Sequence, residues 1–174
     1  MARVPSFEMP RTEIRKELDL IRHPFRVAID RAKNPFNIGS IVRTAHSFLA
    51  KEIILIGTEP WYERAAMGMQ RYENIVELPT ERTFLDAVEK EGWRLVAFEK
   101  DEAEVGLWDA EIPDDAVLVF GNEDDGCSPV ILEAAEQVVA IPMFGINHSY
   151  PISVAAGIAM AEWARRHYET GRCV

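Results

Sequence analysis

Short β-branched or apolar runs alternate with helically spaced segments along the whole chain, and few architectures satisfy that pattern. A strand followed by a helix is most easily returned parallel to its predecessor, so the expectation is an α/β fold with a largely parallel sheet flanked by helices. Strands are expected at 25–29, 52–56, 75–78, 94–98, 116–120 and 137–141, and helices at 39–49, 60–67, 81–91 and 152–167. Ile14, Leu18 and Ile21 recur at helical spacing and suggest an added helix in 10–22. A chain of 174 residues can bury one ordinary core. Residues 1–174 are therefore expected to form a single domain, with 1–24 as a short basic N-terminal helical extension.

Charge narrows the classes of partner. The net charge is -10, which argues against a ligand held by cationic attraction alone. The charge is unevenly spread: residues 1–43 hold nine Lys/Arg against five Asp/Glu, whereas residues 44–174 hold ten against twenty-four. The basic end is the part suited to face a phosphate backbone. Between Glu99 and Asp125 lie eleven acidic residues and a single basic one, Lys100, which reads as a solubilising face. No segment approaches about 18 consecutive apolar residues, and Met1-Ala2-Arg3-Val4-Pro5 lacks the apolar run of a signal peptide. A cytoplasmic protein with no membrane partner is expected. Cys127 and Cys173 lack metal-ligand spacing, and so do His23, His46, His148 and His167, so no metal site is expected.

Three segments carry chemistry. Asn34-Pro35-Phe36-Asn37-Ile38-Gly39-Ser40-Ile41-Val42-Arg43-Thr44-Ala45 stands at a strand-to-helix junction, where unpaired backbone N–H groups favour anions. Asn37 is placed to cap the helix, and Arg43, one turn in, shares a polar stripe with Ser40, Thr44 and Ser47. Gly121-Asn122-Glu123-Asp124-Asp125-Gly126-Cys127-Ser128-Pro129 follows a strand, and its glycines, five apart, permit close backbone approach to a ligand. It matches neither a dinucleotide glycine triplet nor a phosphate loop, and it lacks calcium-loop spacing. The third segment runs from Ile141-Pro142-Met143 through Ser149-Tyr150-Pro151-Ile152-Ser153-Val154 into a helix rich in alanine and glycine.

Taken together, in this order and spacing, the three segments resemble the signature motifs of the SpoU/TrmH branch of the SPOUT methyltransferase superfamily, over about 25–163. The residues that carry the resemblance are Asn37, Gly39, Arg43 and Ala45, then Gly121, Glu123, Gly126 and Ser128, then Ile141, Pro142, Met143, Ser149, Ser153, Val154 and Ala155. The resemblance implies a C-terminal deep trefoil knot, an exception to the rule of unthreaded connections. It also implies an S-adenosylmethionine-dependent RNA 2'-O-ribose methyltransferase that works as a homodimer. The cofactor would be held by the loops around Phe98, Gly121, Asn122, Glu123, Gly126, Ile141, Met143, Ser149 and Val154. The implied catalytic set is Arg43, Asn37, Glu123 and Ser149, with Arg43 matching the family's essential arginine. A guanidinium is a poor base, so the expectation is that Arg43 clamps the phosphate beside the target ribose while Glu123 orients Asn37 or Arg43. Small residues of the last helix, with Met160 and Trp163, are candidates for the dimer interface.

One position departs from the motif. The third signature usually reads Ser-Leu-Asn-Val-Ser, and here Pro151 replaces the asparagine. Proline suits the start of a helix, but a polar group is lost. This motivates an alternative, a catalytically weak or inactive knotted protein that binds S-adenosylmethionine or RNA, distinguishable by cofactor binding without methyl incorporation. A nucleotide-dependent dehydrogenase is disfavoured because the glycine triplet is absent. The short basic extension, in place of a separate N-terminal recognition domain, favours tRNA over rRNA as the substrate.

Overall fold

The computed structural model describes residues 5–31 and 33–168; Cys173 and the first four residues of the basic extension lie outside them. Seven strands form one sheet: β1 Arg26–Asp30, β2 Glu52–Ile56, β3 Ile75–Leu78, β4 Leu95–Phe98, β5 Val105–Gly106, β6 Val117–Phe120 and β7 Gln137–Ala140. Their order is β3-β2-β1-β6-β4-β7-β5, and every pairing is parallel. The α/β expectation thus holds. The central strands are buried along their length, as a sheet covered on both faces requires.

This order determines where a ligand can sit. From β1 the chain moves outward through β2 and β3, then reappears as β4 on the far side of β1, with β6 filling the place between them. Register pairs Ile29 with Phe120, Phe120 with Phe98, and Phe98 with Val139, so the loops that leave β1, β4, β6 and β7 emerge side by side. In an open parallel sheet, the crevice beyond the strand ends at such a reversal is the natural binding site.

The described residues form five helices, α1 Arg11–Asp19, α2 Pro35–Ser47, α3 Glu81–Glu91, α4 Pro129–Ala134 and α5 Ile152–His167, of which the last four cover the sheet. On one face, α2 and α5 pack over Phe25, Ile29, Leu118 and Phe120. On the other, α3 and α4 cover Ala28, Ile54, Leu95 and Val119. The bounds of α3 and α5 agree with expectation, and α3 is secured by a reciprocal Thr80/Thr83 capping box and by Gly92 in the left-handed region.

Several local readings are corrected. Residues 60–67 do not form an α-helix: two short 3-10 turns, Glu63–Ala66 and Met69–Arg71, stand there, because Met67 and Gly68 both take positive φ and break the winding. Asn37 does not cap α2. Asn34 does so, accepting from the Phe36 amide at 3.0 Å, with Pro35 in the first turn. The cap at Asn34 starts the helix four residues earlier than expected and leaves the Asn37 side chain free for other work. Met160 and Trp163 are not interface candidates, since both are buried within the single chain. The Trp163 ring lies 4.2 Å from that of Phe25, and its indole N–H is shared between the carbonyls of Pro113 and Asp114.

Candidate active site

Beyond the ends of β4, β6 and β7 lies a cavity of about 470 Å³, within the range that encloses small ligands. Phe98, Gly121, Asn122, Glu123, Gly126, Ile141, Met143 and Ser149 all line it, which brings eight of the nine expected cofactor residues together. Val154 is not among them. It is 44% exposed, and the neighbouring turn of α5 lends Ile152 and Ala155 to the cavity instead.

The 121–126 loop closes on itself through paired backbone hydrogen bonds, Asn122 N–H to the Gly126 carbonyl at 3.2 Å and Gly126 N–H to the Asn122 carbonyl at 3.1 Å. Inside this ring the Asn122 side-chain oxygen accepts the amides of Asp124 and Asp125 at 2.9 and 2.8 Å. Gly121 is required by contact: a Cβ there would lie 1.9 Å from the Gly126 carbonyl carbon. Asn122 is buried, and its side-chain NH₂ finds no partner among the described residues, so a donor is left at the cavity wall. The wall is anchored from below by Asp30, fully buried at the end of β1, whose carboxylate accepts the Ser128 amide at 2.6 Å. Across the opening, Lys33 bridges Asp124 and Asp125, both at 3.0 Å, and these bonds raise the Lys33 pKa and lower that of Asp125. The Tyr150 hydroxyl donates to the Pro142 carbonyl at 3.1 Å and folds the 141–150 loop over the other side. Burial, reinforced by the carboxylates of Asp30 and Glu99, pushes the Cys127 thiol upward, so it stays neutral and unreactive.

At the rim, the three sequence segments meet in one hydrogen-bonded chain. The Asn37 amide NH₂ donates to Glu123, and the Asn37 side-chain oxygen accepts from the Ser153 hydroxyl at 2.9 Å. Glu123 therefore holds Asn37 and not Arg43. Arg43 is exposed and outside the cavity lining; its carbonyl accepts the Ser47 hydroxyl at 3.3 Å, and among the described residues no hydrogen bond or ion pair engages its guanidinium. Ser149 lies exposed at the cavity edge. Asp30, Glu99 and Tyr150 were missed from the sequence. A charged residue ending a buried strand is a signal that could have marked Asp30, whereas Glu99 and Tyr150 sit in polar loops with no distinguishing pattern.

Comparisons with known proteins agree with this geometry. Residues 24–161 match the model of the SpoU rRNA Methylase family. The 23S rRNA (guanosine-2'-O-)-methyltransferase RlmB of Neisseria meningitidis is 29% identical over 156 residues, covering 85% of this chain and 61% of its own. The tRNA (guanosine(18)-2'-O)-methyltransferase of Aquifex aeolicus is 28% identical over 162 residues, covering 91% of this chain and 77% of its own. Among solved structures, the SpoU methyltransferase AviRb of Streptomyces viridochromogenes, in complex with the cofactor AdoMet, superposes with a TM-score of 0.77 at 27% identity, over 87% of this chain and 61% of that one. The chain thus spans about three fifths of the length of the Neisseria relative.

Proposed function

The chain belongs to the SpoU rRNA Methylase family, and on that premise we propose that it is an S-adenosylmethionine-dependent RNA 2'-O-ribose methyltransferase, a single domain with a knotted C-terminal part, acting on tRNA in preference to rRNA. The observation that carries the reading is the meeting of all three segments at one cavity: Asn37 from the first, Glu123 from the second and Ser153 from the third are hydrogen-bonded to one another at its rim. The insertion of β6 between β1 and β4 supports the threading. The preference for tRNA draws on the similarity to the Aquifex tRNA (guanosine(18)-2'-O)-methyltransferase, which is matched over 91% of this chain.

The cavity suits the cofactor in size, in the glycine-only approach of Gly121 to Gly126, and in the spare amide donor of Asn122. When bound, S-adenosylmethionine supplies an electrophilic methyl group. Loops 121–126 and 141–150 hold the donor and exclude water from it. Glu123 fixes the Asn37 amide by a charge-assisted bond, and Ser153 fixes the same side chain from α5. Arg43 grips the phosphate next to the target ribose and offsets the negative charge developing on the 2'-oxygen. The proton leaves through a phosphate oxygen or water.

The Arg43 guanidinium has no partner among the described residues, and this supports a homodimer in which it serves a site shared between subunits. Phe36, 58% exposed, packs against Tyr62 with ring centroids 4.7 Å apart, and Met67 nearby in sequence is 66% exposed, so the region around the start of α2 offers apolar surface for such a contact. Ribose-methylated nucleotides mapped in tRNA and rRNA from cells with and without the protein would test the assignment. Loss of a tRNA site is expected, and loss confined to rRNA would reverse the substrate preference.

A further inference from the structure

The carboxylates that line the cavity are not equivalent. Asp124 and Asp125 share Lys33, Asp101 is paired with Lys100 at 3.0 Å, and Glu123 is engaged by Asn37. Glu102 is exposed to solvent, which screens it. Glu99 differs from all of these. It is half-buried at the end of β4, and its carboxylate accepts two backbone N–H groups, Lys100 at 2.9 Å and Cys127 at 3.4 Å. No cation pairs with it among the described residues. It also presses against the loop that walls the cavity, since a Cβ on Gly126 would lie 2.0 Å from its Oε2. Two neutral amides fix the carboxylate in place without cancelling its charge.

We propose that Glu99 is a specificity residue that makes the cavity prefer the cationic methyl donor over the neutral spent product. The inference rests on the cofactor reading above. At neutral pH S-adenosylmethionine carries a sulfonium, an ammonium and a carboxylate, a net charge of about +1 by ordinary ionisation. Transfer of the methyl forms the oxygen–carbon bond at the ribose, breaks the sulfur–carbon bond with its electron pair left on sulfur, and releases the hydroxyl proton to solvent. The sulfur ends as a neutral thioether, so the product has no net charge. An uncompensated carboxylate in a partly desolvated wall therefore loses its attraction for the ligand once the reaction is over. The unpartnered Asn122 amide in the same wall carries no net charge and so cannot supply this difference. Product release is favoured as a result.

Calorimetric titration of the whole protein with S-adenosylmethionine, S-adenosylhomocysteine and sinefungin, which keeps a positive charge near the position of the sulfonium, provides the test. The wild type should bind the two cationic ligands more tightly than the neutral one, and raising salt from about 0.05 M to about 0.5 M should weaken only the cationic pair. Glu99→Gln keeps one acceptor for the backbone amides and should lower the donor-to-product affinity ratio by about fivefold, with the product affinity unchanged. Glu102→Gln should shift that ratio by less than about twofold. Equal loss for all three ligands in Glu99→Gln, or an unaltered ratio, would overturn the proposal while leaving the cofactor reading intact. Failure of the wild type to bind any of the three would instead remove the cofactor reading and this inference with it.

Discussion

Helix α2 carries a polar cluster toward each end, and the two clusters do different work. Near its start, Asn37 links Glu123 and Ser153 at the mouth of a cavity, half in water. Near its end, His46 Nδ1 lies 2.7 Å from Glu73, whose carboxylate also takes the Arg22 guanidinium at 2.8 Å. Arg22 further donates to Asp19 and to the carbonyls of Ala50 and Tyr72. The Glu73 side chain is fully buried and that of Arg22 nearly so. This second cluster is saturated with partners and opens onto no pocket described in the structure, so it ties α1 and the 72–74 segment to the sheet and has no capacity left for a ligand. The first cluster keeps unfilled capacity beside the cavity, in the Asn122 amide, and the Arg43 guanidinium further along the same helix has no partner among the described residues. Polar residues in a fold therefore divide by what remains unsatisfied around them, and not by charge alone.

Substitutions can break this contrast. The largest effect is expected from Glu73→Ala, which strands a buried guanidinium and should cost about 3–5 kcal/mol of stability by chemical denaturation, with cofactor affinity of the folded protein retained. A loss below about 1 kcal/mol would mean that the buried cluster is not structural. Glu123→Gln should act the other way round, lowering methyl transfer by about tenfold to a hundredfold through misplacement of Asn37 while changing stability by less than about 1 kcal/mol. An equal fall in stability and activity would erase the distinction between the two ends.

The smallest effect sharpens the contrast at a third cluster. Glu162 on α5 is bound by Arg165 at 2.7 Å and Arg166 at 2.8 Å, and these partners, Arg165 first, hold its carboxyl at about 2, well below the ordinary value of 4.5. A carboxyl depressed in the folded state stabilises it above the unfolded value and ceases to do so as pH falls from about 4.5 toward 2. Glu162→Gln should therefore reduce the melting temperature at pH 7 slightly and flatten the acid limb of the stability profile in that window. An unchanged acid limb would show that the pair contributes nothing.

The parts of the fold legible in the sequence were those built by local rules. Buried β-branched runs marked six of the seven strands, and the helical spacing of α3 and α5 placed both at their observed bounds. What escaped was short or non-local. Strand β5 has two residues and helix α4 six, too few for a period to register. The 3-10 turns at 63–71 replaced an expected helix because Met67 and Gly68 both take positive φ, a reversal that periodicity does not register. Motif order brought eight of the nine expected cofactor residues to one cavity lining, whereas Val154, on a neighbouring position of α5, is not among the lining residues. Glu73 was invisible for another reason, since its partners stand 27 and 51 positions away in the chain.

The central claim is that the Arg43 guanidinium, without a partner among the described residues, grips the phosphate backbone while the cavity presents a methyl group to the ribose. It is tested most directly by tritiated-methyl transfer from S-adenosylmethionine into total RNA, with wild type, Arg43→Ala and Arg43→Lys compared at equal cofactor occupancy. The account predicts incorporation by the wild type, a loss of about a hundredfold or more in Arg43→Ala and a smaller loss in Arg43→Lys, which keeps the charge but not the planar fork. Near-normal transfer by both variants would contradict it.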